Sequence, residues 1–233
     1  MAVHALIPAA GSGRRMAAGG NKQYLELGDR PILAQTLARL AAIAAIDALH
    51  VIVPADECDY CREEVVARYG LAKVGSVIAG GAERQDSVRN GLAACGAADD
   101  DLILIHDGVR PFFPAAQLVP LLAAAAQDGA ALLAIPAQDT IKEVAAGRVV
   151  RTLERGRLWQ VQTPQAFRAA VIRAAHRRAL AAGFTGTDDA ALVEWCGGAV
   201  AVIPGTPWNF KLTTPADLAL ARALLAAGEV SLT

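Results

Sequence analysis

An apolar segment near the N-terminus leads into a loop of small and cationic residues at positions 9–23. Glycine permits backbone conformations that crowd amide N–H groups against an anion, arginine can hold two phosphate oxygens at once, and lysine supplies a compact charge. The glycines are Gly11, Gly13, Gly19 and Gly20, and the cations are Arg14, Arg15 and Lys22. The pattern predicts a loop that binds a polyphosphate; the alternative is a glycine-rich turn with solvated arginines.

Two common phosphate-binding patterns do not fit this loop. A Walker loop requires Ser or Thr directly after its lysine, but Gln23 follows Lys22. A dinucleotide-binding loop of the form G-x-G-x-x-G requires a third glycine at the position of Met16. The loop therefore indicates another class of phosphate chemistry.

Two further loops carry chemically capable residues. The segment GGAERQDSV at 80–88 begins with two glycines, which would let a flat base approach the backbone, and Ser87 could hydrogen-bond that base. Its alternative is an ordinary strand-to-helix turn with a capping hydroxyl.

The segment HDGVRP at 106–111 holds Asp107, which could orient Mg²⁺ through water or a substrate hydroxyl, and Arg110, which could face an anion. Its alternative is an Asp107–Arg110 ion pair that fixes the turn, with His106 merely packed.

Short apolar segments alternate with longer helical ones along the chain. Strands are predicted at 3–7, 49–53, 74–78, 102–105, 131–135 and 199–203, and helices at 32–46, 56–69, 85–95 and 115–127. This alternation predicts an α/β fold with a mostly parallel sheet flanked by helices. Ligands of such sheets bind beyond the carboxyl ends of the strands, and all three candidate loops follow predicted strands.

From residue 138 the pattern changes to a β-hairpin, with strands predicted at 140–144 and 149–153. An isolated hairpin is only marginally stable in water, so we expect it to lie against a second subunit. We therefore predict a single domain over residues 1–233 with a dimerisation arm at 137–158, which would carry Thr140 and Arg155 toward a neighbour's pocket. The alternative is a hairpin folded over its own domain.

The C-terminal third is predicted to place a strand and turn near the pocket and to close the chain with helices. A strand and turn at 158–165 and a helix at 168–182 precede Thr187 and Asp188, which look like a helix cap. A strand at 209–213 would place Lys211 at its end, although Lys211 could equally be a solvated surface lysine. Thr214, Pro215 and Asp217 form a helix-start signal for the closing helix.

Composition excludes several classes of protein. Only 19% of the 233 residues are charged and the net charge is −1, which fits neither a disordered acidic chain nor a globally basic nucleic-acid binder. Four cysteines are few for this length and favour a reducing compartment, and Cys58-x-x-Cys61 lacks the second pair that zinc would need. No targeting or membrane segment is visible, so we expect a cytoplasmic protein without nucleic-acid or membrane partners.

Taken in order, these motifs resemble the 2-C-methyl-D-erythritol 4-phosphate cytidylyltransferases over nearly the whole chain. The resemblance rests on AAGSGRRM with NKQ, then GGAERQDSV, HDGVRP, the hairpin, RGRLW at 155–159, TPQ at 163–165 and the segment around Lys211. The chain departs from the family pattern at Asn21, where proline is usual, and at Gly108, where alanine is usual.

The resemblance implies a Rossmann-like nucleotidyltransferase fold with a projecting arm, and an enzyme that joins CTP to 2-C-methyl-D-erythritol 4-phosphate with Mg²⁺ on the CTP phosphates. The implied catalytic residues are Arg15, Lys22, Arg155 and Lys211. The implied CTP-binding residues are Ala9, Ala10, Gly11, Gly13, Gly81, Ala82, Ser87 and Asp107. The implied acceptor-binding residues are Asp107, Arg110, Thr140, Arg155 and Lys211, with Asp107 also an indirect metal contact and the arm forming a homodimer.

Two alternatives to this function are open. A cytidylyltransferase that forms CDP-ribitol from ribitol 5-phosphate would share the nucleotide loops and differ in its acceptor. A nucleotide-binding module without catalysis would keep the loops, but it would have less need for Arg15, Lys22 and Lys211 around one phosphorus atom.

Overall fold

The computed structural model describes residues 1–11 and 21–232. These residues form a central sheet of seven strands and two small two-stranded sheets. The central strands are β1 (Val3–Pro8), β4 (Ala48–Val53), β5 (Val74–Ala79), β6 (Leu102–Ile105), β7 (Ala130–Pro136), β10 (Trp159–Arg168) and β11 (Ala201–Pro204). The small sheets pair β2 (Glu26–Leu27) with β3 (Arg30–Pro31) and β8 (Lys142–Ala145) with β9 (Arg148–Thr152).

The central sheet has the order β11-β7-β10-β6-β1-β4-β5. All neighbours pair in parallel except β10, which is antiparallel to both β6 and β7. Consequently β1, β5 and β6 end at the same edge where β10 begins. The predicted mostly parallel α/β sheet is confirmed.

Helices cover both faces of the sheet. The α-helices are α1 (Ile32–Ala41), α2 (Cys58–Tyr60), α3 (Arg84–Ala94), α4 (Leu118–Asp128), α5 (Ala169–Ala182), α6 (Asp189–Trp195) and α7 (Pro215–Ala226). Short 3₁₀ turns lie at Lys22–Tyr24, Ala55–Glu57, Ala115–Gln117 and Arg155–Arg157, and a π-helix spans Cys61–Ala67. Alternate residues of β1 divide between two cores: Ile7 packs with Leu37 under α1, whereas Leu6 packs with Val88 of α3. None of these helices in the described residues is long and apolar enough to cross a membrane.

Three of the expected elements differ from the structure. The helix predicted at 56–69 consists of the 3₁₀ turn Ala55–Glu57, the short α2 and the π-helix Cys61–Ala67. The helix predicted at 32–46 ends at Ala41, because Lys73 Nζ donates to the carbonyls of Ile43 and Ile46, both at 2.8 Å, and draws the chain into a turn. The predicted strand at 209–213 is wrong. That segment has no ladder partner among the described residues and is held instead by single bonds, from Leu212 N–H to the carbonyl of Val109 (2.9 Å) and from Arg110 Nη1 to the carbonyl of Asn209 (2.8 Å).

The hairpin of β8 and β9 projects from the domain, as predicted. Every residue of both strands is exposed in the single chain, including Val144, Val149 and Val150. The hairpin is therefore not folded over its own domain. All four cysteines lie in the described residues and none forms a disulfide.

Candidate active site

Two adjoining cavities lie at the carboxyl edge of the sheet. The larger, of about 650 Å³, is lined by all three of the predicted loops; the smaller, of about 290 Å³, is lined by the loop after β6 together with the start of β10 and the approach to α6. Three side chains line both cavities: Arg84, Asp107 and Lys211. Ligands bound in the two cavities would therefore be separated only by these side chains.

Asp107 is the electrostatic centre of this wall. Its Oδ2 lies 3.0 Å from Lys211 Nζ and 3.1 Å from Arg110 Nε, and its Oδ1 lies 3.5 Å from Arg84 Nε. Burial alone would raise the pKa of the carboxyl group, but the fields of the three cations lower that pKa well below its ordinary value. Arg84 is also paired with Asp189 behind it (2.7 Å), so three cations face two carboxylates and the wall keeps an excess positive charge suited to phosphate groups. The Asp107–Arg110 ion pair, posed as one alternative, is present, and both residues also line the smaller cavity; their role toward a ligand stays a prediction.

The loop that carries Asp107 is fixed by a chain of hydrogen bonds to β10. The Asp107 amide donates to Thr163 Oγ1 (3.0 Å), which lies 3.0 Å from His106 Nδ1, and His106 Nε2 lies 3.0 Å from the Arg110 carbonyl. The carbonyl can only accept, so the ring proton is on Nε2 and Nδ1 accepts from the hydroxyl. Burial lowers the pKa of His106 to about 4, and the ring is neutral. His106 is thus buried, as one interpretation had it, but it is more than merely packed because both ring nitrogens form hydrogen bonds.

The loop after β5 uses its own polar groups to hold its shape. Ser87 Oγ accepts from the Gly81 amide (3.0 Å) and donates to the Glu83 carbonyl (3.1 Å). A Cβ on Gly80 would lie 2.6 Å from that of Ala10, and one on Gly81 would lie 2.3 Å from Asp86 Cβ, so both positions need glycine for close packing. A hydroxyl oxygen has two acceptor lone pairs, and one of those on Ser87 is left for an N–H group of a ligand.

The first loop contributes small residues and one lysine to the larger cavity. Ala9, Ala10 and Gly11 line it directly after β1, and Lys22 lines it from the turn Lys22–Tyr24. The next residue, Gln23, is buried and donates to Glu57 Oε2 at 3.0 Å, which anchors this turn. The remaining predicted residues of the loop, Gly13 and Arg15, lie outside the described residues.

The two predicted arm residues lie apart from both cavities of their own chain. Thr140 is exposed and precedes β8, and Arg155 is exposed with its Nη1 donating to the Gln138 carbonyl at 2.6 Å. Neither residue lines either of these two cavities. Of the expected site residues that the structure describes, those of the loops and Lys211 are brought together, whereas those of the arm are not.

Several residues at the site were not predicted as individual ligand contacts. Arg84 was noted only as part of a motif. Gln162 and Thr163, from the strand and turn predicted near the pocket, line the smaller cavity, and so does Thr187, which was predicted as part of a helix cap. Asp188 caps α6 as predicted, accepting from the Ala191 amide at 2.8 Å, and it also lines this cavity. Asp189 and His176, buried behind Arg84, carried no signal because an isolated Asp or His in a helical sequence does not reveal its partners.

The described residues do not offer a cage for a metal ion. They contain no group of three or more His, Cys, Asp or Glu side chains that could hold one. Asp107, the predicted indirect contact, has both carboxylate oxygens facing cations, which opposes a further divalent charge. The residues present therefore fit a resident Mg²⁺ poorly.

Comparison with known proteins identifies the family. The family model described as 2-C-methyl-D-erythritol 4-phosphate cytidylyltransferase matches residues 3–227. Enzymes of that name from Syntrophotalea carbinolica and Geotalea uraniireducens are 56% and 54% identical, each over 97% of this chain and 97% of its own.

Solved structures agree with this result. The crystal structure of 4-diphosphocytidyl-2C-methyl-D-erythritol synthase from Anaerococcus prevotii has a TM-score of 0.83 and 31% identity, covering 97% of this chain and 96% of that chain. The cytidylyltransferase structure from Thermus thermophilus has a TM-score of 0.77 and 35% identity, covering 97% of this chain and 100% of that chain. The chain therefore belongs to the family of 2-C-methyl-D-erythritol 4-phosphate cytidylyltransferases, which are nucleotidyltransferases.

Proposed function

We propose that this enzyme joins CTP and 2-C-methyl-D-erythritol 4-phosphate to give 4-diphosphocytidyl-2-C-methyl-D-erythritol and pyrophosphate, a step of the non-mevalonate route to isoprenoid precursors. The family membership supports the reaction class. In the structure, the main support for this reaction is the wall of Arg84, Asp107 and Lys211, which two cavities of unequal size share. One phosphorylated substrate on each side of a net positive wall would bring two phosphates together.

CTP, the larger substrate, fits the larger cavity. Its base would lie against Gly81, Ala82 and Ser87, whose free lone pair suits an exocyclic amino group. Its phosphates would follow the loop at Ala9, Ala10, Gly11 and Gly13, with Arg15 and Lys22 as cations. The acceptor would occupy the smaller cavity, with its phosphate near Arg110 and Lys211.

The reaction needs no covalent enzyme intermediate. An oxygen of the acceptor phosphate forms a bond to the α-phosphorus of CTP, the bond to the bridging oxygen breaks, and pyrophosphate leaves with the electron pair. Negative charge accumulates around the α-phosphorus, so fixed cations that bind this transition state more tightly than the bound substrates accelerate the reaction. Lys211 and Arg84 on the shared wall, with Arg15 and Lys22, would supply that charge.

Magnesium would enter as part of the substrate. Mg²⁺ is commonly bound by substrate phosphates with few protein ligands, and the described residues form no cage of their own. The ion would neutralise phosphate charge when bound. The chain's own contribution would be to position the phosphates, and Asp107 would act by orienting Arg110 and Lys211.

The arm would complete the site of a second copy. The valines of β8 and β9 are exposed in the single chain, as are Trp159 and Val161 of β10. Burial of these side chains between subunits would stabilise a homodimer. In that dimer Thr140 and Arg155 of one subunit would reach the acceptor cavity of the other. Sedimentation of the intact chain against one lacking residues 138–151 tests the dimer, which should dissociate in the shortened chain.

A coupled pyrophosphate-release assay tests the activity. With CTP present, 2-C-methyl-D-erythritol 4-phosphate should give release and ribitol 5-phosphate should give little. Preference for ribitol 5-phosphate would assign the enzyme to CDP-ribitol formation. Calorimetric CTP binding without release on either acceptor would instead indicate a nucleotide-binding module. A cytoplasmic location remains a prediction, in keeping with the free cysteines.

A further inference from the structure

A buried pair of side chains lies behind Arg84 and outside both cavities. Asp189, the first residue of α6, places Oδ2 2.7 Å from Arg84 Nη1, and His176 of α5 places Nε2 3.3 Å from Asp189 Oδ1. The side chains of His176 and Asp189 are only 2% and 1% exposed. Together with Asp107, they form a continuous series of polar contacts from the helical layer to the shared wall.

The series fixes Arg84 from two sides. Its Nη1 faces Asp189, and its Nε faces Asp107 at 3.5 Å. Because a guanidinium group is planar, contacts at two of its nitrogens set the plane of the whole fork. Burial alone would lower the pKa of Arg84, but the carboxylates of Asp189 and Asp107 outweigh that effect and raise it, so the side chain stays charged.

Without Asp189, nothing among the described contacts would hold Arg84 away from Asp107. The fork would be drawn fully onto that carboxylate, where a two-pronged pair is the preferred geometry. It would then compete with Lys211 and Arg110 for the same two oxygens. Asp189 thus divides the charge of Arg84 between two carboxylates and leaves Asp107 available to the other two cations.

His176 sets the orientation of Asp189. The carboxylate can only accept, so the proton of the imidazole is on Nε2. Its other nitrogen, Nδ1, is buried without a hydrogen-bond partner among the described residues. The ring therefore contributes one donated bond, directed at the oxygen that does not face Arg84. That bond holds Oδ2 toward the guanidinium group.

We propose that Asp189 and His176 are positioning residues for the cytidylyl transfer, acting through Arg84 on the wall between the two substrates. This inference rests on the proposed function. Displacing one reacting group by about 1 Å can lower a rate about 100-fold. Asp189→Asn should therefore lower kcat by about 10- to 100-fold, with a smaller change in KM for CTP.

A double-mutant cycle with Arg84→Lys tests whether Asp189 acts through Arg84. The lysine keeps the charge but lacks the planar fork. In the Arg84→Lys background, adding Asp189→Asn should therefore lower kcat by less than about threefold. Equal fractional losses in both backgrounds would overturn the proposal. Wild-type pyrophosphate release with 2-C-methyl-D-erythritol 4-phosphate checks the proposed function separately, because that assay does not depend on any variant.

Two substitutions of His176 separate positioning from packing. His176→Gln retains an N–H donor near the position of Nε2 and should keep kcat within about threefold of the wild type, whereas His176→Met should lower it by about tenfold. His50→Met is a matched control, because His50 is also buried but bonds Ser76 (2.8 Å) away from the cavities; it should lower the melting temperature without lowering kcat. Equal kcat for the two His176 variants would overturn the role of His176, and this comparison stands even if Asp189→Asn does not fold.

Discussion

Lys211 Nζ lies 3.0 Å from Asp107 Oδ2, so a lysine from the irregular segment before α7 forms an ion pair with a carboxylate on the loop that follows the central strand β6. The contact brings a mobile cation to the wall between the two cavities. Because the Lys211 side chain is 35% exposed, solvent screens the ion pair and its contribution to folding is small. Its value lies in placing positive charge where two phosphates would meet.

Replacing Lys211 by methionine should separate activity from stability. We expect kcat/KM to fall about 10²- to 10³-fold, by analogy with the loss of one transition-state donor, and the free energy of unfolding to change by less than about 1 kcal/mol. Steady-state kinetics and urea denaturation measure the two effects. Lys73→Met is the matched control: it removes a lysine that bonds two carbonyls far from the cavities, and should lower stability with unchanged turnover. Near-normal turnover of Lys211→Met would contradict the assignment.

Asp107→Asn should lower the free energy of unfolding, and bound anions should restore part of that lost stability. The substitution leaves Lys211 and Arg110 without their carboxylate and Arg84 with Asp189 alone, and breaking a buried ion pair costs about 3–5 kcal/mol. CTP or pyrophosphate would partly replace the missing charge. Thermal unfolding should therefore show a larger ligand-induced rise in melting temperature for the variant than for the wild type. An equal rise in both proteins would count against a phosphate site at this wall.

Acid should destabilise the protein between about pH 6.5 and pH 4. Burial lowers the pKa of His106 to about 4, and burial together with the nearby His4 does the same for His50. An unfolded histidine has a pKa near 6.5, so in this window the unfolded chain binds more protons and stability falls as the pH falls. Each histidine would contribute up to about 3 kcal/mol.

Urea denaturation across this pH range measures the effect. The variant His50→Gln should lose about half of the pH dependence, because glutamine does not titrate. Stability that stays constant from pH 7 to pH 4.5 would show that the two rings are not held neutral by the fold. The depressed pKa of Asp107 acts in the same direction only at lower pH, below the ordinary carboxyl range.

Mixing two inactive variants tests whether the arm serves the partner subunit. Lys211→Met has a defective pocket and an intact arm, whereas Arg155→Ala has the reverse. If the arm crosses to the neighbour, each mixed dimer contains one fully intact site, so random exchange should restore about one quarter of wild-type activity. If the arm served its own chain, every site would keep one defect and mixing would restore nothing. Pyrophosphate release after subunit exchange distinguishes the two cases.

Local patterns predicted the elements and loops, whereas long-range contacts decided the rest. The strand at 102–105 and the start of α1 at Ile32 agree with the apolar periodicity. The end of α1 depends on Lys73, which is distant in sequence, and therefore left no local signal. Likewise the residues around Lys211 look extended and apolar enough for a strand, but they bond to the loop after β6 by isolated contacts.

Part of the candidate site was also predictable from local sequence. Glycine-rich and charged loops after strands are recognisable from their composition, and the structure brings Ala9, Gly81 and Asp107 to one cavity. The buried pair of His176 and Asp189 could not be predicted, because neither residue belongs to a motif and their contact depends on how α5 packs against α6. The hydroxyl of Ser87 holds its own loop in shape, and its predicted hydrogen bond to a base stays a prediction.

The reversed direction of β10 has a consequence for how assembly and catalysis are connected. β7 runs toward the cavity edge and β10 runs away from it. The segment between them, which contains the hairpin of β8 and β9, must therefore begin and end at that edge. If the proposed dimer forms through this segment, the second subunit lies beside the cavities. A compound that separates the subunits would then inhibit the enzyme without entering either cavity.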